Sequence, residues 1–537
     1  MGWRPPRCGS VRTRASIAKA AVLLSAVAMM VKDLDAPIHG SFYFRQAHVA
    51  ANIDHFVGNG PSLVPATYNL DVPYAIFDFP AYQLLVASIS RALRSDPLLT
   101  SRAVNVAILA LTFLLIDRLL LAAGMGRMHR VASGFLFCFS PMNLFYYQSP
   151  FVDPLAIGLS LLSLYAFIRL EATEGSRRFL LLAILLAASI LSTLIKSPIY
   201  LPVFVAVVVT SLWRRFELMG PWELLVYVTG TSGTVLGFKA WSNRVNGVAG
   251  FFDAYEPREY FGPLTDRFDP ESWHRIGGVL HHDAANTLTV ALALVGVALW
   301  ALRSRSRHKA LFLALVLGWI VTLVVFFNRF TWHNYYLLGF EFPLAFFGAY
   351  ALDRVRVLSR AWRRRERVRI GLPVSAAFAV VAGYTVVAST TAMQDLAATP
   401  TEWIRVSGEF IRRSTAPEDF VVYLVESQDF RDWNPVFLYF AQGRGYNVTT
   451  RRIERHPSIL SHLEARYGSS SGRFVVFCPA KAAPRLAPLI ESQGARLVEA
   501  GPSGWLYRMK ASSRRRDQRS SRQIETTGPG RSTLPGR

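Results

Sequence analysis

Ionisable side chains cluster beside the hydrophobic segments of this sequence, where they could bind a phosphate at a membrane surface. The segment HGSFYFRQAHVAANIDHF, residues 39–56, directly follows the first hydrophobic segment and contains one Arg and three His. At helical spacing, one stripe contains Arg45, His48, Asn52 and His55, and the adjoining stripe contains Val49, Ile53 and Phe56. This pattern predicts a helix that lies flat on the bilayer and turns its polar stripe toward a cavity. A plain lipid-headgroup-binding helix would have the same pattern.

Other ionisable groups stand at the ends of further hydrophobic segments. They are Asp33 and Asp35 before the segment, Asp78 after it, Asp153 in QSPFVDPLAIG, Lys196 in STLIKSPIYLP, and Arg329, His333, Tyr335 and Tyr336 in NRFTWHNYYLLGFEFP. Cations suit a lipid-linked phosphate, and a carboxylate suits a base acting on an acceptor hydroxyl. Each group also has a structural interpretation. Asp153 could cap a helix, Lys196 could extend its amine to the membrane surface, and the tyrosines could form an aromatic belt.

The composition is that of a polytopic helical membrane protein. Of the 537 residues 52% are hydrophobic and only 18% are charged, below the quarter or so expected of a soluble protein. The net charge of +23 comes from short Arg clusters between hydrophobic runs and an Arg-rich tail. That distribution sets membrane orientation and predicts no nucleic-acid partner. The three cysteines lie far apart, so neither a disulfide framework nor a CxxC metal site is expected.

Hydrophobic runs predict eleven transmembrane helices. They lie at about 16–31, 101–121, 131–148, 153–170, 178–196, 198–213, 223–241, 286–302, 309–327, 334–352 and 370–390. The first is interpreted as a retained span rather than a cleaved signal peptide. Loops such as RLEATEGSRR and LRSRSRHK are rich in Arg, whereas QSPFVD, KSP and NRFTWHN hold at most one basic residue each. Because basic loops stay in the cytoplasm, we predict a cell (inner) membrane protein with a cytoplasmic N-terminus and an extracytoplasmic C-terminal segment.

These boundaries define the predicted domain organisation. The predicted parts are a basic cytoplasmic terminus (1–15), a transmembrane domain (16–390) with outer loops at 32–100 and 242–285, a small extracytoplasmic α/β domain (395–510), and a disordered basic tail (511–537). In the α/β domain, DFVVYLVES and RFVVFCPA are typical of buried strands. TEWIRVSGEFIRRS and AAPRLAPLIESQG are typical of amphipathic helices.

The order of the motifs resembles that of bacterial GT-C glycosyltransferases. The pieces that carry the resemblance are FYFRQAHVA, FDFPAYQLLVA, FSPMNLFYYQSPFVDPLAIGLSLLSLY, STLIKSPIYLP and HNYYLLGFEFPLAF, which extend over about residues 30–350. The most similar branch is that of the dolichyl-phosphate-mannose–protein mannosyltransferases and aminoarabinose transferases, which are family 39-like. The resemblance implies transfer of a sugar from a polyprenyl-phosphate donor to a lipid, polysaccharide or protein acceptor on the outer face, with inversion at the anomeric carbon.

The resemblance also implies roles for particular residues. The catalytic acid early in the first outer loop corresponds best to Asp35, with Asp33 as the alternative, although Asp35 stands ten residues before Arg45, farther than in better-known relatives. Further family positions correspond to Asp78, Asp153, Lys196, His333, Tyr335 and Tyr336. Arg45, Lys196 and His333 would neutralise charge on the leaving phosphate, and His48 would also contact it. Some relatives need a divalent cation such as Mg²⁺ or Mn²⁺, which Asp35 and Asp153 could hold.

Two other classes of function remain open at the level of sequence. A transporter or flippase of lipid-linked sugars should carry ionisable residues and broken helices near the middle of the membrane. Here the ionisable residues lie at the outer ends of the spans, which favours an enzyme working from one side. A non-catalytic relative that only binds lipid carriers is the third possibility.

Overall fold

The computed structural model of the protein describes residues 8–64, 76, 78–248, 261–366, 371–398, 402–425, 436–456, 458–467 and 473–509. The predicted tail at 511–537 lies outside the described residues, as do parts of both predicted outer loops. The chain divides into two units, residues 1–67 with 71–402 and residues 68–70 with 403–537. Each unit has its own hydrophobic core.

Long apolar helices build the first unit, as the hydrophobic runs predict. Its α-helices are α1 (Cys8–Val31), α2 (Tyr43–Asn59), α3 (Ala81–Leu93), α4 (Pro97–Ala122), α5 (Arg127–Cys138), α6 (Pro141–Tyr146), α7 (Asp153–Leu170), α8 (Ser176–Trp213), α9 (Pro221–Val248), α10 (Pro270–Val279), α11 (Thr287–Arg303), α12 (Lys309–Val325), α13 (Phe327–Trp332), α14 (Glu341–Glu366) and α15 (Gly371–Ala397). Every predicted span falls largely on helix. By length and apolar composition, four helices among the described residues could cross a membrane, or five if the bent pair Pro270–Ala284 and Thr287–Arg303 is one span.

The third predicted span, 131–148, is not one continuous helix. It divides into α5 and α6, and Ser140 stands between them as the cap of α6, with Pro141 at the first helical position. Proline fits the start of a helix because the N–H that it lacks would have no partner inside the helix at that position. The prediction of a single helix was wrong here, because the apolar run contains a Ser-Pro pair that starts a new helix.

The chain reverses direction at Lys196, inside α8. Lys196 has non-helical backbone angles (φ −157°, ψ 84°). The Ser163 hydroxyl lies 2.9 Å from that of Ser189 and 3.0 Å from that of Tyr200. Ser189 and Tyr200 would be about 16 Å apart along a straight helix, so the two halves fold back on each other. The break predicted between the segments 178–196 and 198–213 is therefore present at Lys196.

The second half of α8 packs closely against α12. A Cβ atom at Gly318 of α12 would lie only 2.5 Å from the carbonyl oxygen of Pro202. Only glycine allows the two backbones to approach this closely. Pro202 lies shortly after the chain reversal at Lys196, so this contact supports the helix that begins there.

The Arg-rich loops meet at one end of the helix bundle. Glu171, just after α7, forms ion pairs with Arg214 at 2.8 Å and with Arg307 at 3.4 Å. Arg178 forms an ion pair with Glu223 at 2.7 Å. The charge pattern predicts that these loops share one side, and the structure brings them together. Asp153 begins α7 at the opposite end, about 27 Å away for 18 helical residues.

Helix α2 lies inside the protein rather than on a lipid surface. Val49, Ile53 and Phe56, the apolar stripe expected to face the bilayer, are all buried against other helices, as are Arg45 and His48 of the polar stripe. The amphipathic pattern was predicted correctly, but the prediction that its apolar stripe faces the bilayer was wrong. A buried helix can show the same two stripes when one packs on an apolar core and the other on a polar cluster.

The second unit is a five-stranded sheet with helices. The strands are β1 (Phe420–Val425), β2 (Arg444–Thr449), β3 (Phe474–Pro479), β4 (Ala495–Ala500) and β5 (Gly504–Met509), in the order β2-β1-β3-β5-β4. β1 pairs in parallel with β2 and β3, and β5 pairs antiparallel with β3 and β4. The helices are α16 (Glu402–Ser414), α17 (Val436–Ala441), α18 (Thr450–Arg455), α19 (Ile459–Tyr467) and α20 (Ala483–Ser492). The small α/β fold predicted from the sequence is confirmed.

Stability should depend on pH through Asp54 of α2. Burial, and then the nearby charge of Asp96, raise the pKa of Asp54 from 3.8 to about 7. Asp54 releases its proton near pH 3.8 in the unfolded chain, whereas it keeps the proton up to about pH 7 in the folded protein. The contribution of protonated Asp54 to the free energy of unfolding is therefore fully present below pH 3.8 and is lost as pH rises through 7. Asp54→Asn should therefore unfold at a higher temperature than the wild type at about pH 8, and the gap should narrow toward about pH 5.

The measurement is thermal unfolding of the purified full-length protein across this pH range. Asp269→Asn is the control. The hydrogen bond from Ser272 is the main cause that lowers the pKa of the exposed Asp269, which therefore stays ionised throughout. The prediction would be contradicted if Asp54→Asn and the wild type differed in unfolding temperature by the same amount at both pH values.

Candidate functional site

Four charged side chains from distant parts of the sequence meet at the end of the bundle where α7 begins. Arg45 of α2 forms an ion pair with Asp78. The Lys196 ammonium lies 3.8 Å from a carboxylate oxygen of Asp78 and 3.8 Å from one of Asp153. The Asp153 side chain is 0% exposed and that of Lys196 is 5% exposed. We call these four residues the charged cluster.

Hydrogen bonds to the backbone near Asp78, on both sides of it in sequence, hold this residue in place. Asn246 of α9 accepts a hydrogen bond from the Ile76 N–H at 2.9 Å and donates one to the Ile76 carbonyl at 3.0 Å. The N–H of Phe79 donates to the carbonyl of Leu194 at 3.2 Å. The residues on either side of Asp78 are therefore tied to α9 and to the end of α8 that carries Lys196.

Asp153 stands at the start of α7, at the end of a short fixed loop. The Asn105 side chain of α4 donates hydrogen bonds to the carbonyls of Ser149 at 2.7 Å and Phe151 at 3.0 Å. Among the described residues, neither carboxylate oxygen of Asp153 has a hydrogen-bond partner. A buried carboxylate without hydrogen bonds is costly, so this group depends on the charge of Lys196.

Aromatic rings cover one side of the Lys196 ammonium. The Tyr335 and Tyr336 ring centroids lie 4.9 and 4.8 Å from it, and the two rings stack at 4.8 Å. The Phe42 ring packs edge-on against Tyr335 at 5.0 Å. A cation over an aromatic face is stabilised by the ring quadrupole, and more so where water is excluded.

His333 lies beside the charged cluster as a neutral side chain. Its Nε2 atom is 3.3 Å from a guanidinium nitrogen of Arg329. Burial, and then the charges of Arg329, Lys196 and Arg45, lower the pKa of His333 to about 3. His333 can therefore offer a hydrogen bond to a phosphate, but it does not supply the positive charge expected from the sequence.

His48 is also neutral. Burial, and then the charge of Arg45, lower the pKa of His48 well below its usual value. Its Nε2 atom lies 3.3 Å from the Asn52 side-chain amide nitrogen. His48 stands one turn after Arg45 on the inward face of α2, where it can contribute hydrogen bonding but not charge.

The two acids of the first loop lie outside the charged cluster. Arg102 of α4 donates hydrogen bonds to four carbonyls of this loop, those of Asp33, Leu34, Ala36 and Pro37. The Asp35 side chain is exposed, and it forms no ion pair within the described part of the chain. Asp35 is exposed whereas Asp153 is buried, and the metal pair considered from the sequence stays a prediction.

Arg102 should be a major support of the loop that carries Asp35. Its guanidinium is buried, and hydrogen bonds from a charged donor contribute about 1.5–3 kcal/mol each. We expect Arg102→Met to lower the free energy of unfolding by about 2–4 kcal/mol, measured by denaturant or thermal unfolding in detergent.

Arg267 provides a matched control for Arg102. It also donates to four carbonyls, those of Phe261, Pro263, Val324 and Val325, but near the surface. Water can replace the lost donor there, so Arg267→Met should lower stability by less than about 1 kcal/mol. If both variants lost the same free energy of unfolding, burial would not explain the contribution of Arg102 to stability.

Several neighbours of the charged cluster did not emerge from the sequence. Lys239 of α9 interacts electrostatically with Lys196, Arg329 and Arg45. The sequence did contain an indication of Lys239, because it is a charged residue near the end of the predicted span 223–241. Asn246 carried no comparable signal.

A hydrogen-bonded chain also connects the HHD motif (residues 281–283) to this region. Tyr146 donates to Asn334 at 2.5 Å, Asn334 donates to Asp283 at 2.9 Å, and His282 lies 2.9 Å from Asp283. Asn334 stands between His333 and Tyr335 in sequence. The chain therefore ties the turn that carries those two residues to the segment before α11.

The carboxylates here do not form a recognisable metal site. Among the described residues, no three His, Cys, Asp or Glu side chains are grouped as metal ligands. Asp78 and Asp153 instead share the Lys196 ammonium. Counted formally, Arg45, Lys196 and Arg329 exceed the two acids by one positive charge. This arrangement can bind an anion such as a phosphate, and it can stabilise negative charge that develops on a leaving group.

One family model matches about a third of the sequence. The profile of the family described as "Predicted membrane protein (DUF2142)" matches residues 78–257, which include Asp78, Asp153 and Lys196. No curated protein matches the chain by sequence.

Solved structures share the fold at low sequence identity. The chain is similar to ArnT from Cupriavidus metallidurans bound to undecaprenyl phosphate, with a TM-score of 0.62, 13% identity, and 94% of this chain and 99% of that chain covered. It is also similar to the oligosaccharyltransferase AglB of Archaeoglobus fulgidus in complex with an inhibitory peptide and a dolichol-phosphate (0.51, 15%, 92% and 74%). A third similar structure is the arabinofuranosyltransferase AftD from Mycobacteria (0.53, 15%, 93% and 42%).

Proposed function

Because the chain has the fold of the GT-C glycosyltransferases, we propose that it transfers a sugar from a polyprenyl-phosphate donor to an acceptor at the membrane surface, with inversion at the anomeric carbon. The observation that carries this proposal is the charged cluster. Acids and cations from four separate segments converge at the end of the bundle opposite the Arg-rich loops.

The cations would hold the donor phosphate. Arg45, Lys196 and Arg329 can make charge-assisted contacts to its oxygens, and the neutral His48 and His333 can add hydrogen bonds. As the bond from C1 of the sugar to the phosphate oxygen breaks, negative charge grows on the phosphate. Fixed cations in a site with little water stabilise that charge without having to reorganise.

Asp35 is the acid best suited to be the base. Asp78 and Asp153 are largely buried and are already engaged with the cations Arg45 and Lys196, so an acceptor hydroxyl has little access to them. Asp35 is exposed, so an acceptor can reach it, and Arg102 fixes the backbone around it. In the proposed reaction, the Asp35 carboxylate takes the proton of the acceptor hydroxyl while the acceptor oxygen attacks C1. Asp33 remains the alternative.

The proposed reaction takes place on the extracytoplasmic face, which cysteine labelling can test. Asn59 is the last residue of α2 and Glu174 lies between α7 and α8, and both side chains are exposed, so Asn59→Cys and Glu174→Cys are the reporters. The native Cys138 and Cys478 are buried, and Cys8 would be replaced by Ser. A membrane-impermeant maleimide should label Asn59→Cys in intact cells and Glu174→Cys only after lysis. The reverse pattern would contradict the extracytoplasmic assignment.

The function itself is tested by comparing glycolipids and glycoproteins of cells with and without this chain. We expect one glycan to lose a single sugar, and we expect the purified protein to restore it from a polyprenyl-phosphate donor. Unchanged glycans would contradict the proposal. Movement of the lipid-linked sugar across vesicles without transfer would identify a transporter instead.

A further inference from the structure

The two buried acids of the charged cluster are arranged as if they shared one central cation. Asp78 and Asp153 come from the first loop and from α7, and each has an oxygen 3.8 Å from the Lys196 ammonium. Two carboxylates that converge on one point are the usual donors for Mg²⁺ or Mn²⁺. In this chain that point is occupied by a side chain.

The charges of the cluster disfavour a divalent ion at this position. The four charges of Arg45, Asp78, Lys196 and Asp153 sum to zero, so a divalent ion would leave an excess of two beside a buried ammonium.

The Lys196 side chain is held where it is by the fold. Its backbone forms the chain reversal in α8, which is followed by Pro198 and Pro202. The rings of Tyr335 and Tyr336 lie 4.9 and 4.8 Å from its ammonium and favour a cation there. Withdrawing the ammonium would leave both Asp153 oxygens without a hydrogen-bond partner among the described residues and without this cation.

We infer that the Lys196 ammonium is a built-in cation that occupies the place of a divalent metal between Asp78 and Asp153. The exclusion of metal follows from the cluster alone. The further consequence, that sugar transfer proceeds without a divalent metal, rests on the proposed function. Removing the ammonium should open a latent metal site made of the same two acids.

Mn²⁺ binding to the full-length protein in nanodiscs, followed by electron paramagnetic resonance, tests the inference. Lys196→Ala should gain one saturable Mn²⁺ site with an affinity at least about 100-fold above that of the wild type, because the positive charge that occupies the place of the metal is removed. The gain should disappear in Lys196→Ala/Asp153→Asn. Lys19→Ala is the matched control, since Lys19 forms an ion pair with Asp117 at 2.5 Å and lies outside the charged cluster. It should gain no site.

Two results would overturn the inference. One is a folded Lys196→Ala protein that gains no Mn²⁺ site. The other is a wild-type protein that already binds one Mn²⁺ tightly and loses it in Asp153→Asn. If Lys196→Ala does not fold, the wild type still decides the question. Its unfolding temperature should be the same in EDTA and in Mn²⁺, and a Mn²⁺-dependent rise that Asp153→Asn abolishes would contradict the inference.

The outcomes also separate this inference from the proposed function. Sugar transfer that is lost in EDTA and restored by Mn²⁺ would support the function and overturn the inference. The expected Mn²⁺ results together with no sugar transfer to any acceptor would support the inference and contradict the function.

Discussion

Asp35→Asn should lower the turnover number of sugar transfer by about 10²- to 10⁴-fold, which is the range that a positioned general base contributes. Asparagine has nearly the same shape but cannot accept the acceptor's proton. Asp35 is exposed and lies outside the charged cluster, so affinity for polyprenyl phosphate should stay unchanged. The measurements are turnover with a labelled donor and equilibrium binding of polyprenyl phosphate.

Two comparison variants make this result interpretable. Asp33→Asn changes the alternative acid two residues earlier, and a large loss there with none in Asp35→Asn would assign the base to Asp33. Glu174→Gln changes an exposed acid at the opposite end of the bundle and should have no effect. If neither Asp33 nor Asp35 affects turnover, the first loop does not supply the base. A protein that binds the lipid but never transfers a sugar would be the non-catalytic carrier-binding relative.

Arg45→Met should weaken both the fold and the donor site. It removes one partner of a buried ion pair and leaves Asp78 with Lys196 alone, a loss of about 3–5 kcal/mol for such pairs. Affinity for polyprenyl phosphate should fall by about 10- to 150-fold, since a charge-assisted contact contributes about 1.5–3 kcal/mol. Thermal unfolding and equilibrium lipid binding measure the two effects.

The double variant Arg45→Met/Asp78→Asn separates these two effects. Both charges of the pair are then absent, so most of the lost stability should return. Lipid affinity should not return, because the cation that contacts the phosphate is still missing. A double variant as unstable as Arg45→Met would show that the two residues are not coupled. Unchanged lipid affinity in Arg45→Met would exclude Arg45 from the phosphate site.

The sequence predicts the helices well because length and hydropathy determine them locally. The apolar runs locate the spans, and the runs DFVVYLVES and RFVVFCPA locate β1 and β3. β2, β4 and β5 escaped prediction because RGYNVT, ARLVEA and GWLYRM are short and mix apolar with polar or charged residues. Hydropathy also could not distinguish lipid from protein as the partner of α2, since both present apolar surface to Val49 and Ile53.

The individual members of the charged cluster could be proposed from sequence, but their pairing could not. A hydrophobic segment stands beside each of its members, Arg45, Asp78, Asp153 and Lys196, and that placement marks them as candidates. That Lys196 lies between the two acids depends on the chain reversal in α8 and on the Asn246 contact with Ile76. These contacts join segments far apart along the chain, and no local pattern encodes them.

The close approach of Gly318 to Pro202 links a remote position to the chemistry of the protein. A methyl group on residue 318 would press against the backbone of the helix that Lys196 begins, and that helix would have to shift away. Even a displacement of a few tenths of an ångström would move the amine relative to its two acidic neighbours. A residue with no charge and no hydrogen-bonding side chain therefore cannot be enlarged even by a methyl group without disturbing the charged cluster.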